Sequence, residues 1–415
     1  MKIGILTFQP SLNYGGILQC LALKRTLEDM GHEVSVINRR HPALGNMLAG
    51  PYPTWGKRLW LRFAMRSLAG LDDFLTWLRY HRTRTFIKKH LNLTNCAITA
   101  WSDAPKDLGL DMVVVGSDQV WHCGDWGDPS LFLLENAPRI PAIAYSASFG
   151  MPELPRQITT GLFSCNDVPN RYKNGLARFR AISCRESEGV RICQDLGFSA
   201  AHVVDPTLLP ELQTFHPPKR RLLVCYLMTI SIAEVIAQAE RLERFAKRIG
   251  CKVRLFIRDG NVQFIQRFPF PKNGSSTRKW ICGLWRKATS PLSLELDAGP
   301  QEFLDAMSKA QWVVTDSFHG LMFSIRNNCN VRVLRPSNAN RSTMFARIEE
   351  FSSHFEGSLF ANGMDAALKS IECGERIAFD YTWLEHWRSE SLAWLNNAVN
   401  AALCERNDAN YGTQQ

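Results

Sequence analysis

The feature that most constrains this chain is the alternation it opens with. Lys2–Phe8 reads as a short apolar strand and Gln9–Gly16 as a loop. Ile17–Met30 follows as a helix, apolar at positions 17, 18, 21, 27 and 30, and Glu33–Asn38 as a second strand. Gly31 suits the helix stop, because glycine enters the left-handed region without a Cβ penalty. A strand, a crossover helix and a second strand make the unit that joins parallel strands, so the opening predicts a parallel sheet with helices on its faces.

The rhythm breaks between residues 40 and 100, where a Pro/Gly/Trp stretch and a basic, Trp-rich helical region read as an insertion. It then resumes with strands at Asp111–Gly116, Ile140–Ala147, Ala181–Cys184 and Ala201–Val204, and a helix at Ser187–Gly197. A second series runs through a strand at Leu222–Met228, a helix at Ile232–Ile249 and a strand at Cys251–Ile257. It continues with a helix at Gln301–Ala310, strands at Trp312–Thr315 and Val331–Leu334 with a helix after Phe318 between them, and a last helical stretch at Thr382–Cys404. A chain of 415 residues is too long for one core. The expected organisation is therefore an α/β fold of two Rossmann-like domains. The first spans 1–210 and carries the basic insertion at about 40–100, and the second spans 211–375. A C-terminal helix and tail at 376–415 would pack back on the first domain. Two such domains leave a cleft at the C-terminal ends of their strands, where these folds bind ligands.

Composition removes several classes. With 45% apolar and 21% charged residues the chain is globular in character, not disordered. No stretch reaches the roughly 18 uncharged apolar residues of a membrane span, and the start has no basic n-region or cleavage site, so the expected location is the cytoplasm. The twelve cysteines are scattered singly, without Cys-x-x-Cys, which points to reduced core residues. The net charge of +10 concentrates in residues 56–90, with nine Lys or Arg against two Asp, and in 272–287, with five and no acid. No nucleic-acid motif accompanies either patch. Both carry Trp, at Trp55, Trp60 and Trp77 and at Trp280 and Trp285, which suits a peripheral contact with the inner membrane face.

Five polar runs each follow a predicted strand, where α/β folds place their sites. Asn13-Tyr14-Gly15-Gly16 enters the helix that carries Gln19, and glycines before a helix leave N–H groups open to an anion. Gly116-Ser117-Asp118-Gln119 follows the next strand and suits a sugar or phosphate, with Trp121 behind it as a flat apolar face. Tyr145-Ser146-Ala147-Ser148 leaves room for a ligand beside Ser146 and Ser148. Ser183-Cys184-Arg185-Glu186 puts a guanidinium at the end of a buried strand, where it must be paired or face a cavity. Its planar fork fits carboxylate or phosphate. Asp205-Pro206-Thr207, after the strand that follows, reads as architectural. The strongest run is Asp316-Ser317-Phe318-His319-Gly320, because a histidine at a strand-to-helix turn can move protons near neutral pH. Gly320 lets backbone or ligand come close. Asp316 or Asp118 could orient His319.

Taken together and in this order, the runs resemble the polysaccharide pyruvyl transferase family. The segments NYGGILQCLALKRTLEDMGHEV, VVVGSDQVW, IAYSASFG, SCRESEGVRICQDLGF, VVDPTLL and VVTDSFHGLMFSI carry the likeness. The resemblance implies a fold similar to GT-B glycosyltransferases. It also implies a cytoplasmic enzyme of exopolysaccharide biosynthesis that transfers pyruvate from phosphoenolpyruvate to a sugar, free or lipid-linked, as a ketal. His319, Asp316 and Arg185 would then be catalytic. Asn13, Tyr14, Gly15, Gly16, Gln19, Gly116, Ser117, Asp118, Gln119, Ser146, Ser148, Ser317, Gly320 and Arg341 would bind substrate. Where some branches have Arg-Leu-His this chain has Ser317-Phe318-His319, so Arg185, Arg341 or Arg347 would have to supply the lost phosphate contact. No resident cofactor or protein metal is implied: no His, Cys or carboxylate cluster has ligand spacing. An Mg²⁺ on the substrate phosphate would need little from the protein. Two other readings stand beside this one: a glycosyltransferase of the same architecture using a nucleotide sugar, and a non-catalytic subunit of polysaccharide assembly.

Overall fold

Two parallel sheets, each wound on both faces by helices, make up the chain in this computed structural model. It describes residues 1–8, 12–40, 68–105, 108–123, 128–159, 164–209, 220–228, 232–257, 290–335 and 342–411. The first half runs β1 (Lys2–Leu6), α1 (Tyr14–Asp29), β2 (Glu33–Arg39), α2 (Leu68–His90), β3 (Leu93–Ile98), β4 (Met112–Val115), β5 (Ala142–Ala147), α3 (Val168–Leu176), β6 (Ala181–Cys184), α4 (Ser187–Asp195) and β7 (Ala201–His202). The second runs β8 (Leu222–Leu227), α5 (Ile232–Ile249), β9 (Lys252–Ile257), β10 (Leu292–Leu294), α6 (Pro300–Lys309), β11 (Trp312–Thr315), α7 (Phe318–Arg326) and β12 (Asn330–Leu334). It continues with α8 (Ser342–Glu349), β13 (Phe355–Glu356), β14 (Phe360–Ala361), α9 (Met364–Glu372), β15 (Ala378–Phe379) and α10 (Tyr381–Tyr411).

The strand orders are β3-β2-β1-β4-β5-β6-β7 and β10-β9-β8-β11-β12-β14, and every pairing within them is parallel. Both sheets therefore reverse direction of winding at one place, β1/β4 in the first and β8/β11 in the second. Open α/β sheets bind ligands in the crevice at that reversal. Helices on both faces bury the central strands completely, and β4, β5 and β8 are buried at every residue. The two sheets joined in tandem form a GT-B-like arrangement. The described residues contain no helix long and apolar enough to cross a membrane.

Successive residues of β4 serve different cores. Met112 and Val114 join the cluster shared by both halves, while Val113 and Val115 join the one on the outer face of the first sheet. The period of two along a strand produces this division. Helix α1 is buried almost all round, from Tyr14 through Lys24, because it lies against its own sheet and against the second half. Tyr14 stacks on Phe303 at 5.0 Å with its rings 15° apart, and its hydroxyl donates to Ala298 O at 2.8 Å. Arg82 of α2 reaches Asp297 at 2.8 Å and Glu302 at 3.3 Å. From the other end, α10 packs on the first sheet: Val204 N donates to Ser391 Oγ and Trp387 Nε1 to His202 O.

The stretch at about 40–100, which the sequence sets apart as an insertion, is in part a component of the first sheet. Its later part is built into the first sheet, as helix α2 and edge strand β3, which pairs with β2. Residues 41–67, and the basic stretch 272–287 with Trp280 and Trp285, lie outside the described residues.

Candidate active site

The two reversal points face each other, and the polar runs meet between them. Strand β11 ends at Thr315, and Ser317 caps α7 by accepting a hydrogen bond from Gly320 N at 3.3 Å. The cap fixes His319 in the first turn of the helix, where unpaired N–H groups and the helix dipole favour an anion. A Cβ on Gly320 would lie 2.1 Å from Thr315 Oγ1, so only glycine lets the turn close on its strand. His319 is 7% exposed, and its Nε2 has no hydrogen-bond partner among the described residues. The nearest acid is Asp205, whose Oδ2 lies 3.9 Å from that nitrogen.

Asp205 holds the centre of the cluster. Its Oδ1 accepts from Thr207 N at 2.9 Å and from Thr207 Oγ1 at 2.6 Å. Its Oδ2 accepts from Arg185 Nη1 at 3.0 Å and from Ser117 Oγ at 3.3 Å. Arg185, at the end of β6, also donates through Nε to Glu186 Oε1 at 2.9 Å. Its Nη2 is 3.8 Å from Asp118 Oδ1 and, like His319 Nε2, has no hydrogen-bond partner among the described residues. Arg347 from α8 stands 3.7 Å from Glu186, and both guanidiniums lie over the Phe318 ring, at 4.5 Å for Arg185 and 5.4 Å for Arg347. Gln119 Nε2 is a further buried donor without a partner among the described residues. Buried donors left unsatisfied are costly, so Arg185 Nη2 and Gln119 Nε2, both on strand-end loops of the first sheet, call for an acceptor.

Burial, the largest effect, pushes the His319 imidazole below its ordinary pKa, and Arg185 and Arg347 push the same way against Asp205 and Asp118. Burial would raise Asp205, but His319, Arg185 and the Thr207 hydrogen bonds outweigh it and hold the carboxyl below the usual range. Arg347 is pushed down to about 10, first by burial and then by Arg185. It stays charged at neutral pH. Arg185 is raised: burial opposes its charge, but Glu186, Asp205 and Asp118 outweigh burial.

The site is built on a strained frame. Gly116 has φ of +116°, and a Cβ there would stand 2.3 Å from Tyr145 O. Asp118 and Ser146 take φ of +73° and +52°, unusual for residues with side chains and typical of functional loops. Gln19 braces this frame from α1. Its Oε1 accepts from Ser117 N at 3.1 Å, and its Nε2 donates to Thr7 Oγ1 at 2.8 Å and to Gly16 O. Asn13 caps α1 by accepting from Gly15 N at 3.1 Å, and Ser148 Oγ donates to Glu186 Oε1 at 2.9 Å.

Several expectations change. The Tyr14 side chain is fully buried and its hydroxyl donates to Ala298 O, which gives it a role in joining the two halves. Gln19 is likewise fully buried and bonded within the protein, so it positions the Gly116–Gln119 loop. Trp121 presents no face to a ligand: it is wholly buried against Phe149 and Phe179. Asp316 is not the acid beside His319; its Oδ1 accepts from Met228 N at 2.6 Å and ties β11 to β8. The carboxylates acting on His319 are Asp205 and Asp118. Asp205 belongs to a run that reads as architectural in the sequence, and the one signal that marks it for the site is its place at a strand end, shared with the other runs. Arg341 lies outside the described residues. Among the described residues no three His, Cys, Asp or Glu side chains are grouped to hold a metal ion.

Comparison with curated proteins finds no match. Among solved structures the chain is similar to UDP-GlcNAc 2-epimerase from Methanocaldococcus jannaschii, at 12% identity and a TM-score of 0.45, covering 90% of this chain and 92% of that one. It is similar to the glycosyltransferase SsfS6 from Streptomyces sp. SF2575, at 12% identity and a TM-score of 0.36, covering 95% and 96%. It is also similar to MnaA with UDP from S. aureus, at 12% identity and a TM-score of 0.41, covering 94% and 91%. A family model described as polysaccharide pyruvyl transferase matches residues 13–338, from the cap of α1 to beyond His319. That span takes in all the strand-end runs of the site and most of the chain, which thus belongs to the polysaccharide pyruvyl transferase family.

Proposed function

We propose that this chain transfers the pyruvyl group of phosphoenolpyruvate to a pair of saccharide hydroxyls as a ketal. The observation that carries the reading is the pair Arg185 Nη2 and His319 Nε2, both buried beside Asp205 and both lacking a hydrogen-bond partner among the described residues. The donor brings a carboxylate and a phosphate, which need N–H partners in a site that excludes water. Arg185 Nη2, Gln119 Nε2, the Arg347 guanidinium and the first turn of α7 supply them. Arg347 would supply the phosphate contact made by an arginine in branches that carry Arg-Leu-His where this chain has Ser317-Phe318-His319.

The reaction needs a proton on the enol carbon, and His319 delivers it once the anion has drawn a proton onto its imidazole. The neighbouring carbon becomes electron-poor, a sugar oxygen bonds to it and the first hydroxyl proton leaves. A second hydroxyl then adds while the carbon–oxygen bond to phosphate breaks, with its electron pair going to phosphate. Of the two hydroxyl protons, one balances the proton now on the methyl carbon and the other leaves with the phosphate. Asp205 holds Arg185 and steadies His319 through both steps.

Phosphate release from phosphoenolpyruvate, measured against a panel of glycans with mass spectrometry of the products, tests this. The expected result is saccharide-dependent phosphate release and a mass gain matching a pyruvate ketal. Release of a nucleoside diphosphate from a nucleotide sugar would replace the reading with glycosyl transfer. Failure to bind phosphoenolpyruvate at millimolar concentration would point to a non-catalytic subunit.

A further inference from the structure

Arg39, the last residue of β2, differs from the other buried arginines. Arg185 is paired with Glu186 and Asp205, Arg347 stands by Glu186, and Arg332 donates to Ser370 and Asn330. Arg39 is 7% exposed, yet among the described residues its guanidinium has neither a carboxylate in ion-pair reach nor a hydrogen-bond acceptor. Its company is aromatic. The guanidinium carbon lies 5.0 Å from the centre of the Phe8 ring and 5.1 Å from that of Phe132, and the two rings are 4.8 Å apart. The three form a triangle, so the rings cover one side of the fork. None of its nitrogens is among the enclosed polar atoms that lack a partner, so the N–H edge opens outward. A desolvated charge without a counter-charge is costly, and ring contacts return part of that cost only. Burial alone shifts its pKa, down to about 10, so Arg39 stays charged at neutral pH.

The register places this fork. Ile5 pairs with Val36 and Leu6 with Val115, which levels Arg39 with Phe8 and Ser117 at the crevice end of the first sheet. By the period of two, Arg39 shares a face with Ile37, on the outer side that holds Phe132. The donor cluster lies elsewhere. Arg185 ends β6, four strand positions from β2, which is roughly 19 Å at ordinary strand spacing. Asp118, Asp205 and Glu186 all act on Arg185, and none of them acts on Arg39.

We propose that Arg39 is a second oxyanion site, separate from the donor's, which receives a carboxylate or phosphate on its N–H fork. A planar guanidinium takes either group through two parallel hydrogen bonds, and a water-poor, aromatic-lined setting strengthens them. No protein carboxylate competes for the fork, so an incoming anion supplies the missing counter-charge. The oxyanion is either one carried by the second substrate or free phosphate. The site rests on the pyruvyl-transfer reading only for that role; its anion binding stands by itself.

Phosphorus NMR of inorganic phosphate with the full chain tests it, with and without saturating phosphoenolpyruvate. Phosphate should still bind when phosphoenolpyruvate fills the donor cluster. Arg39→Met should weaken that remaining binding at least about tenfold, the scale of one charged contact, and leave phosphoenolpyruvate binding unchanged. Methionine keeps an apolar stem against Phe8 and Phe132 and removes a desolvated charge, so the variant should fold. If it does not, Arg39→Lys is read in its place. Lysine keeps the charge without the parallel donors, and it should weaken the same binding while sparing phosphoenolpyruvate. Saturation transfer to glucose 1-phosphate, methyl glucuronide and methyl glucoside separates the two sources. Binding of the charged sugars that is lost in Arg39→Met supports an anion carried by the substrate, and Arg39-dependent binding of phosphate alone supports free phosphate. The proposal is overturned if no phosphate binds beside phosphoenolpyruvate, or if that binding survives in a folded Arg39→Met or Arg39→Lys protein. A chain that binds no phosphoenolpyruvate yet shows Arg39-dependent phosphate binding would remove the pyruvyl-transfer reading and leave this site standing.

Discussion

The His319 imidazole packs directly on the backbone of Gly15: a Cβ at position 15 would lie 2.2 Å from Nδ1 and 2.3 Å from Cγ. The two residues come from opposite halves of the chain, so the first turn of α1 sets how far His319 can lean toward Asp205. Gly15→Ala should leave α1 intact, since alanine is favoured in a helix over glycine. The ring, however, must move by more than a bond length. Pyruvyl transfer should fall by a factor on the order of 10², with the folded state kept and destabilised by the about 1–3 kcal/mol that overpacking costs. A folded Gly15→Ala protein with normal turnover would mean that His319 is not held in a reactive position.

His319 also predicts a pH signature. Its pKa in the free site is lowered, chiefly by burial, so the ring is neutral at pH 7. A bound trianion alongside would raise that pKa and draw a proton onto the ring. Phosphoenolpyruvate binding should therefore take up close to one proton and weaken as pH rises above neutral. Calorimetry in buffers of different ionisation enthalpy measures this uptake. His319→Ala should fold, lose the uptake and lose transfer by on the order of 10² or more. Equal proton uptake in the variant would assign it to another group.

How much of this could be read from the chain follows from the kind of pattern each part leaves. Strand β4 was legible because burial on both faces writes a continuous apolar run, Met112–Val115. Strand β3 was missed because Leu93–Ile98 lies at the sheet edge, mostly half-exposed, and shows no clean period. The three-residue β10 and two-residue β14 are too short to carry any pattern. His319 and Arg185 stood out because each follows a buried strand, and strand ends line the crevice. The tie from Asp205 to both is tertiary, made by residues far apart in the chain, and no local spacing encodes it. Tyr14 misled for the opposite reason. It neighbours Gly15 in the sequence, but its ring points into Phe303 and the second half.

That ring contact gives a third prediction. Tyr14→Phe keeps the stack on Phe303 and removes only the hydrogen bond to Ala298 O. The expected loss is about 1 kcal/mol in denaturant unfolding, the ordinary net worth of such a bond. Because the hydroxyl touches no reacting group, turnover should stay within a few-fold of the parent. A hundredfold loss in a folded protein would return Tyr14 to the substrate.

Asp205 is the most demanding test, because one carboxylate serves both stability and chemistry. Its pKa is lowered in the folded protein, so its contribution is present above the unfolded carboxylate value and is lost as pH falls through the folded one. Asp205→Asn keeps the shape and an oxygen for Thr207 but removes the charge between Arg185 and His319. Breaking a buried pair on one side costs on the order of 3 kcal/mol. The variant should be less stable at pH 7 and should lose less of its remaining stability on acidification than the parent. Without the nearest carboxylate, the His319 ring would also resist protonation more strongly, so transfer should fall even at temperatures where the variant is fully folded. If Asp205→Asn unfolds with the parent's dependence on pH, the carboxylate is not the anchor of the cluster.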